Sequence, residues 1–201
     1  MIPKIIHSVW LGRGEKSPRA KHCLETWKEI MPDYKIIEWN EDNFNLDYNK
    51  WTRKSYDLKK YAFTSDVIRL WALYEYGGIY MDTDVEVYKS LDPFLNDEGF
   101  TGFEDINYPA TATIGAEKGN PIIKAMLDYY EGLDFILYDD WRDYIRNQRT
   151  STCIESNILA AAGIDRMRNT LQTIDHFKVY PRSYFFTEGE GYTYHSFGGS
   201  W

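Results

Sequence analysis

Asp82 and Asp84 stand two positions apart at the end of the hydrophobic run Ile79-Tyr80-Met81, which reads as a strand. Side chains two apart on a strand share a face. Two carboxylates on one face repel unless a positive charge lies between them, and oxygen donors of this kind suit hard divalent cations such as Mg2+ or Mn2+. Upstream, Asp66 and Arg69 fall three apart in a helical pattern, so they are neighbours on one face. Gly77-Gly78 separates that helix from the strand. The whole run from Ser65 to Val85 therefore reads as a cradle for a metal-bound diphosphate. A bare Asp-x-Asp is common in turns; what singles this one out is the helix, glycine break and strand in front of it.

Other elements must position these groups. Ile2 to Trp10 is rich in β-branched residues and closes on Gly12-Arg13-Gly14, which predicts a first strand and a turn. Ser17-Pro18 fits a helix cap followed by proline at the first helical position. Ala20, Cys23, Leu24, Trp27 and Met31 keep the helical period, and Pro32-Asp33 ends it. Tyr34 to Trp39 reads as a second strand, completing a βαβ unit with a right-handed crossover. Ligands of open α/β sheets bind beyond the carboxyl ends of the strands, where Trp10, Leu11, Gly12 and Asn40 would lie. Trp51 to Tyr61 reads as a helix, and Thr64 or Ser65 as the cap of the next, whose apolar stripe is Val67, Leu70, Trp71 and Tyr74. Gly99–Phe103, Thr111–Ala116 and Phe177–Tyr180 read as strands. Pro121 to about Gly132, Trp141–Arg146 and Ile154–Ala162 read as helices. Glycines at 189, 191, 198 and 199 predict a mobile loop from Thr187 onward.

At this level of detail the chain resembles the sugar-transferring families that carry the DXD motif, of the glycosyltransferase family 32 type. These include initiating yeast mannosyltransferases, α-galactosyltransferases of globoside synthesis and bacterial capsule glycosyltransferases; the core of the glucosylating clostridial toxins is also similar. Three segments carry the resemblance: Ile2-Pro3-Lys4-Ile5-Ile6-His7-Ser8-Val9-Trp10 at the start, Ser65 to Val85 in the middle, and His195-Ser196-Phe197-Gly198-Gly199-Ser200-Trp201 at the close. The resemblance implies an α/β fold of the GT-A type, a single Rossmann-like domain over residues 1–201 with a mainly parallel central sheet flanked by helices. It implies that Asp84 binds Mn2+ or Mg2+ directly and that Asp82 contacts the donor's ribose and reaches the metal through water. His195 or Ser200 would complete the metal shell. Asp66 and Arg69 would hold the donor sugar and its phosphate side, with Thr83 beside them. Trp10, with Leu11 and Gly12, would meet the base, and Trp201 would donate to a phosphate oxygen.

The implied activity is retaining transfer of a hexose from a nucleoside-diphosphate sugar to a saccharide or glycolipid acceptor. UDP-hexose is the expected donor and GDP-mannose the alternative. Rival readings are a non-catalytic nucleotide- or carbohydrate-binding module and a metal-dependent phosphohydrolase; the latter would want more carboxylates clustered with histidines.

Composition sets limits on both. The 201 residues make one domain with a real core. The net charge of −8 and the lack of a Lys/Arg run exclude a duplex-binding footprint. Cys23 and Cys153 are far apart without metal-ligand spacing, which fits reduced thiols. No run is apolar and long enough to span a bilayer. The expected location is the cytoplasm, at the inner membrane surface where the acceptor is membrane-bound. His7 alternates with apolar neighbours on its strand and is expected to hydrogen-bond in the core. Asn157, on the Ile154–Ala162 helix, and Glu104 and Asp105, at a strand end, are further candidates for the acceptor side.

Overall fold

The computed structural model describes residues 1–105, 107–147 and 150–196. Its centre is a seven-stranded sheet. In chain order the strands are β1 (Ile5–Val9), β2 (Lys35–Trp39), β3 (Gly78–Met81), β5 (Gly99–Asp105), β6 (Tyr108–Ala116), β7 (Gln172–Ile174) and β8 (Phe177–Tyr180), arranged β2-β1-β3-β6-β5-β8-β7. β4 (Val85–Val87) and β9 (Thr193–His195) form a separate antiparallel pair. In the main sheet β1, β2, β3, β5 and β8 run one way, and β6 and β7 run against them. The sheet is thus mainly parallel, flanked by helices, as expected.

The helices follow from local chemistry. In α1 (Pro18–Ile30) the Ser17 hydroxyl accepts the Ala20 N–H, and Pro18 opens the first turn. α2 (Lys50–Asp57) starts at Asn49, whose side chain accepts from Thr52 N–H. α3 (Tyr61–Tyr76) starts earlier than its sequence suggests. Thr64 and Ser65 lie inside it rather than capping it, and Lys60 supplies no side-chain cap. Their hydroxyls turn back to helix carbonyls instead, Ser65 to Ala62 at 2.7 Å and Thr64 to Lys60. α4 (Pro121–Asp128), α5 (Trp141–Arg146), α6 (Ser151–Ala162) and the short α7 (Arg182–Phe185) complete the set.

Alternation along the strands sends side chains into two cores. Ile6, Ile79 and Met81 face the layer holding Trp27, Phe100 and Phe185. Val9 and Tyr80 face the layer holding Val67, Leu70, Ile123 and Phe177. β3 is buried along its whole length, as befits a strand inside the sheet. Gly77 and Gly78 have φ of 66° and 118°, and a Cβ on either would stand 2.7 Å from Lys118 N or 2.6 Å from Ile5 O. Only glycine lets α3 turn this tightly into β3. His7 is fully buried: Nε2 lies 2.8 Å from the Gly77 carbonyl, and Nδ1 accepts the Trp39 indole N–H at 3.1 Å. Burial pulls its pKa down to about 4, the core role its sequence context suggested.

One expectation is corrected at the C-terminal end. The stretch read as a loop from Thr187 onward contains β9, which pairs Val85 with His195 and Val87 with Thr193. Thr193 is fully buried and donates to the Phe185 carbonyl at 3.0 Å. Three β-compatible residues flanked by glycine-rich sequence left too short a signal. No helix among the described residues is long and apolar enough to cross a membrane.

Candidate active site

A cavity of about 370 Å3 opens at the carboxyl ends of β1 and β3, where parallel sheets place their ligands. Its wall includes Val9, Asp66, Arg69, Tyr80, Asp82, Thr83, Asp84, Glu104, Thr111, Ser151 and His195.

The acidic pair is not assembled by the pleat of a strand. β3 ends at Met81, and Asp82 to Asp84 form a tight turn closed by Val85 N–H on the Asp82 carbonyl at 2.9 Å. The Asp82 N–H still bonds the Ala112 carbonyl at 2.9 Å, so the turn stays anchored to β6. The return strand β4 then pairs with β9, and this pairing delivers His195 to the turn. Its Nε2 lies 3.2 Å from Asp84 Oδ1, and its Nδ1 lies 3.7 Å from Glu104 Oε1. One ligand atom each from Asp82, Asp84 and His195 falls within 4.8 Å of the others. Two carboxylate oxygens and an imidazole nitrogen in that space fit a divalent cation such as Mn2+. Without one, burial works against a charged His195, but Asp84, Glu104 and Asp82 outweigh it and hold its pKa up to about 10.

A second cluster forms the cavity's inner wall. Arg69 Nη2 lies 3.0 Å from Asp66 Oδ1 and 3.4 Å from Asp82 Oδ1, and Nη1 donates to the Thr111 hydroxyl at 2.8 Å and the Thr111 carbonyl at 3.2 Å. Its guanidinium also stacks 4.6 Å from the centroid of the Tyr80 ring, and the Tyr80 hydroxyl donates to Asp82 Oδ1 at 2.7 Å. Asp66 and Arg69 are each only 5% exposed, which excludes a solvated surface pair. Burial raises the Asp66 pKa to about 6, against the pull of Arg69. One fixed cation thus stands among acids at the floor of a cleft.

The structure brings together Asp66, Arg69, Asp82, Thr83, Asp84 and His195. It places Trp10, Leu11 and Gly12 just past Val9, outside the cavity wall. The Trp10 indole donates to the Gly14 carbonyl at 2.8 Å, with the Lys16 ammonium 5.2 Å from its ring; Leu11 is buried, and Gly12 N–H donates to Glu41 at 2.6 Å. Ser200 and Trp201 lie outside the described residues. Asn157 accepts from Arg166 at 2.9 Å and does not line the cavity. Glu104 does line it, while Asp105 is exposed.

Sequence reading missed Thr150, Ser151 and Thr152, which line the cavity at the start of α6. Thr150 caps that helix by accepting from Cys153 N–H, and Ser151 hydrogen-bonds Asp66. The signal was present: a Thr-Ser-Thr run before an apolar stretch is a cap signature, and it moves the helix start back from Ile154. Tyr80 and Thr111 were also missed, because a strand residue's role in holding a neighbour's charge leaves no local pattern.

Residues 17–101 match the family described as glycosyltransferase sugar-binding region containing DXD motif. The matched segment, which includes Asp66, Arg69, Asp82 and Asp84, is thus similar to the sugar-binding region of the DXD glycosyltransferases. The chain is 33% identical over 130 residues, 61% of its length, to inositol phosphoceramide mannosyltransferase 3 of Schizosaccharomyces pombe, covering 35% of that protein. To inositol phosphoceramide mannosyltransferase 2 of the same yeast it is 26% identical over its full length, covering 58% of that protein. The chain therefore spans only about a third to three-fifths of these curated relatives. Among solved structures, the PaToxG glycosyltransferase aligns over 80% of this chain and 68% of its own, with TM-score 0.59 and 19% identity. A glycosyltransferase involved in glycosylation of the major capsid of PBCV-1 aligns over 96% and 93%, with TM-score 0.50 and 13% identity. These two likenesses bear on the fold, which is of the GT-A type.

Proposed function

We propose that this DXD-region chain is a metal-dependent, retaining hexosyltransferase acting on a nucleoside-diphosphate sugar. The observation that carries the reading is the convergence of Asp82, Asp84 and His195 within 4.8 Å, beside a buried Arg69 in the same cavity. An acidic cleft holds a diphosphate only where cations offset its charge.

In this reading Asp84 and His195 hold the ion, with Asp82 steadied by the Tyr80 hydroxyl. Bound there, Mn2+ or Mg2+ would act as a Lewis acid on the departing diphosphate. Arg69 supplies a fixed positive charge that costs no reorganisation during the reaction. Asp66, anchored by Arg69 and Ser151, accepts hydrogen bonds from the sugar's hydroxyls. The Thr150-Ser151-Thr152 edge and Glu104 stand where an acceptor hydroxyl would enter.

For the donor, both a UDP-hexose and GDP-mannose fit the reading, and the yeast relatives' names favour mannose as the sugar. Those names also favour a glycolipid over a free saccharide as acceptor; the chain would reach such an acceptor peripherally, at the membrane surface. The test is a donor panel of UDP-glucose, UDP-galactose and GDP-mannose with Mn2+, read as donor hydrolysis or transfer with and without EDTA. The expected result is turnover of one donor that stops on chelation and in Asp84→Ala. Turnover untouched by either would refute the metal assignment. Tight binding of UDP or GDP with no turnover of any donor would favour the binding module.

A further inference from the structure

Glu155 is fully buried, and neither of its carboxyl oxygens has a hydrogen-bond partner among the described residues. An unsatisfied buried carboxyl is costly, and such costs concentrate at functional sites. The position of this one is informative. Ser151 lines the cavity and bonds Asp66. Glu155 lies four residues on, on the same face of α6 and one turn deeper. Its carboxyl is within electrostatic reach of both Arg69 and Asp66.

Arg69 has a matching vacancy. Its Nη atoms are occupied by Asp66, Asp82 and Thr111, but its buried Nε–H has no hydrogen-bond partner among the described residues. An unused donor on a cation and an unused acceptor on an acid, among the described residues, thus lie within electrostatic reach of each other. The two groups interact electrostatically, and burial together with Asp66 and Asp82 outweighs Arg69 and keeps Glu155 neutral far above the usual carboxyl range. Asp82 is shared between Arg69 and the proposed metal cluster.

We propose that Glu155 is a positioning residue for Arg69: with a cation held at the Asp82–Asp84–His195 cluster, its carboxyl would accept the Arg69 Nε–H and keep the guanidinium aimed into the cavity. The proposal rests on the metal-site reading above. It explains why an acid is kept where an apolar residue of the same size would pack at less cost.

The test follows the Nε–H proton resonance of Arg69 and the His195 ring resonances by NMR while Mg2+ alone is titrated in. The Arg69 signal is assigned by its loss in Arg69→Lys. In the wild type both sets of signals move, and the Nε–H exchanges more slowly with solvent. In Glu155→Met the His195 response remains and the Arg69 response disappears, while the melting temperature is unchanged or higher. Glu155→Gln keeps an acceptor oxygen and responds as the wild type does. On the donor that the panel selects, Glu155→Met raises KM roughly 10–100-fold, and Glu155→Gln stays within a few-fold. A moving His195 signal with a static Arg69 signal, in the wild type or in Glu155→Gln, overturns the inference and leaves the metal site standing. An Arg69 response that persists in Glu155→Met does the same. If neither His195 nor Arg69 responds in the wild type, the metal reading falls and this inference falls with it. Should Glu155→Met fail to fold, the wild-type and Glu155→Gln titrations decide alone.

Discussion

The imidazole Nε2 of His195 lies 3.2 Å from the Asp84 carboxylate, although 111 positions separate the two in sequence. The β4–β9 pairing brings them together, with Val85 opposite His195, and the Ser196 N–H and hydroxyl both donate to the Asp84 carbonyl. Metal binding should therefore act on the tertiary structure and not only on the turn. At a Mn2+ concentration 100 times its dissociation constant, the wild type should gain about 2.7 kcal/mol of stability. Asp84→Asn should abolish that gain in thermal melts. Equal stabilisation of both proteins would remove Asp84 from the metal site.

Glu104 approaches the other nitrogen of the same ring at 3.7 Å. A carboxylate behind a metal-binding histidine fixes which nitrogen faces the ion. Glu104→Gln should weaken Mn2+ binding roughly 10–100-fold, measured by calorimetry on the protein without nucleotide. An unchanged dissociation constant would assign Glu104 to the acceptor side instead.

Arg69 is held by Asp66, Asp82 and Thr111 and stacks on Tyr80. Lysine carries the same charge but cannot reproduce the planar fork or the stacking. Arg69→Lys should cut turnover of the active donor about 10²–10³-fold, in the range of losing one preorganised donor, while Mn2+ alone still binds. Wild-type turnover in that variant would contradict the role of a fixed guanidinium at the leaving group.

Protonation of His7 should set part of the acid sensitivity of the fold. Its pKa is about 4 when folded against 6.5 when unfolded. Between those values the unfolded chain binds the proton and the folded chain refuses it. Stability from this group is complete above pH 6.5 and falls as the pH drops towards 4, by up to about 1.4 kcal/mol per pH unit. Denaturant unfolding at pH 7 and pH 5 should show the wild type losing more than His7→Gln, which starts lower. Parallel losses in the two proteins would mean that other groups govern the acid limb.

Much of this site was legible before any coordinates. Asp66, Arg69, Asp82 and Asp84 sit on one short segment whose helical spacing and glycine break are local features. Ser17 and Pro18 announced α1 in the same way. What sequence could not show are relations across the chain. The acids meet in a turn rather than on a pleat, and hydrogen bonds from Val85 N–H and Asp82 N–H decide that. β9 is three residues long and gains its stability from pairing with β4, not from its own pattern. Glu155 looked like an ordinary polar position beside Ser156 and Asn157, and only packing shows it buried. Trp10 reads as a base-stacking residue, and the bond from its indole N–H to the Gly14 carbonyl is made by loop geometry that leaves no sequence pattern.

Trp27 connects the core to the Asp82–Asp84 turn. It is fully buried in α1, and its indole N–H donates to the Val85 carbonyl at 2.7 Å, one residue after Asp84. Trp27→Phe should preserve most of the apolar volume but leave that carbonyl unpaired and a gap beside it. The expected cost is about 2–4 kcal/mol of stability. Because the freed carbonyl adjoins Asp84, Mn2+ affinity should fall as well. Met126→Ala provides the control: Met126 is equally buried, but on α4 and outside the cavity wall, and its truncation should cost about 2–5 kcal/mol. Calorimetric titration with Mn2+ below both melting transitions separates the two effects. The link from core to turn requires weaker binding in Trp27→Phe and wild-type binding in Met126→Ala; equal affinity in both variants would show that α1 supports the fold without setting the position of Asp84.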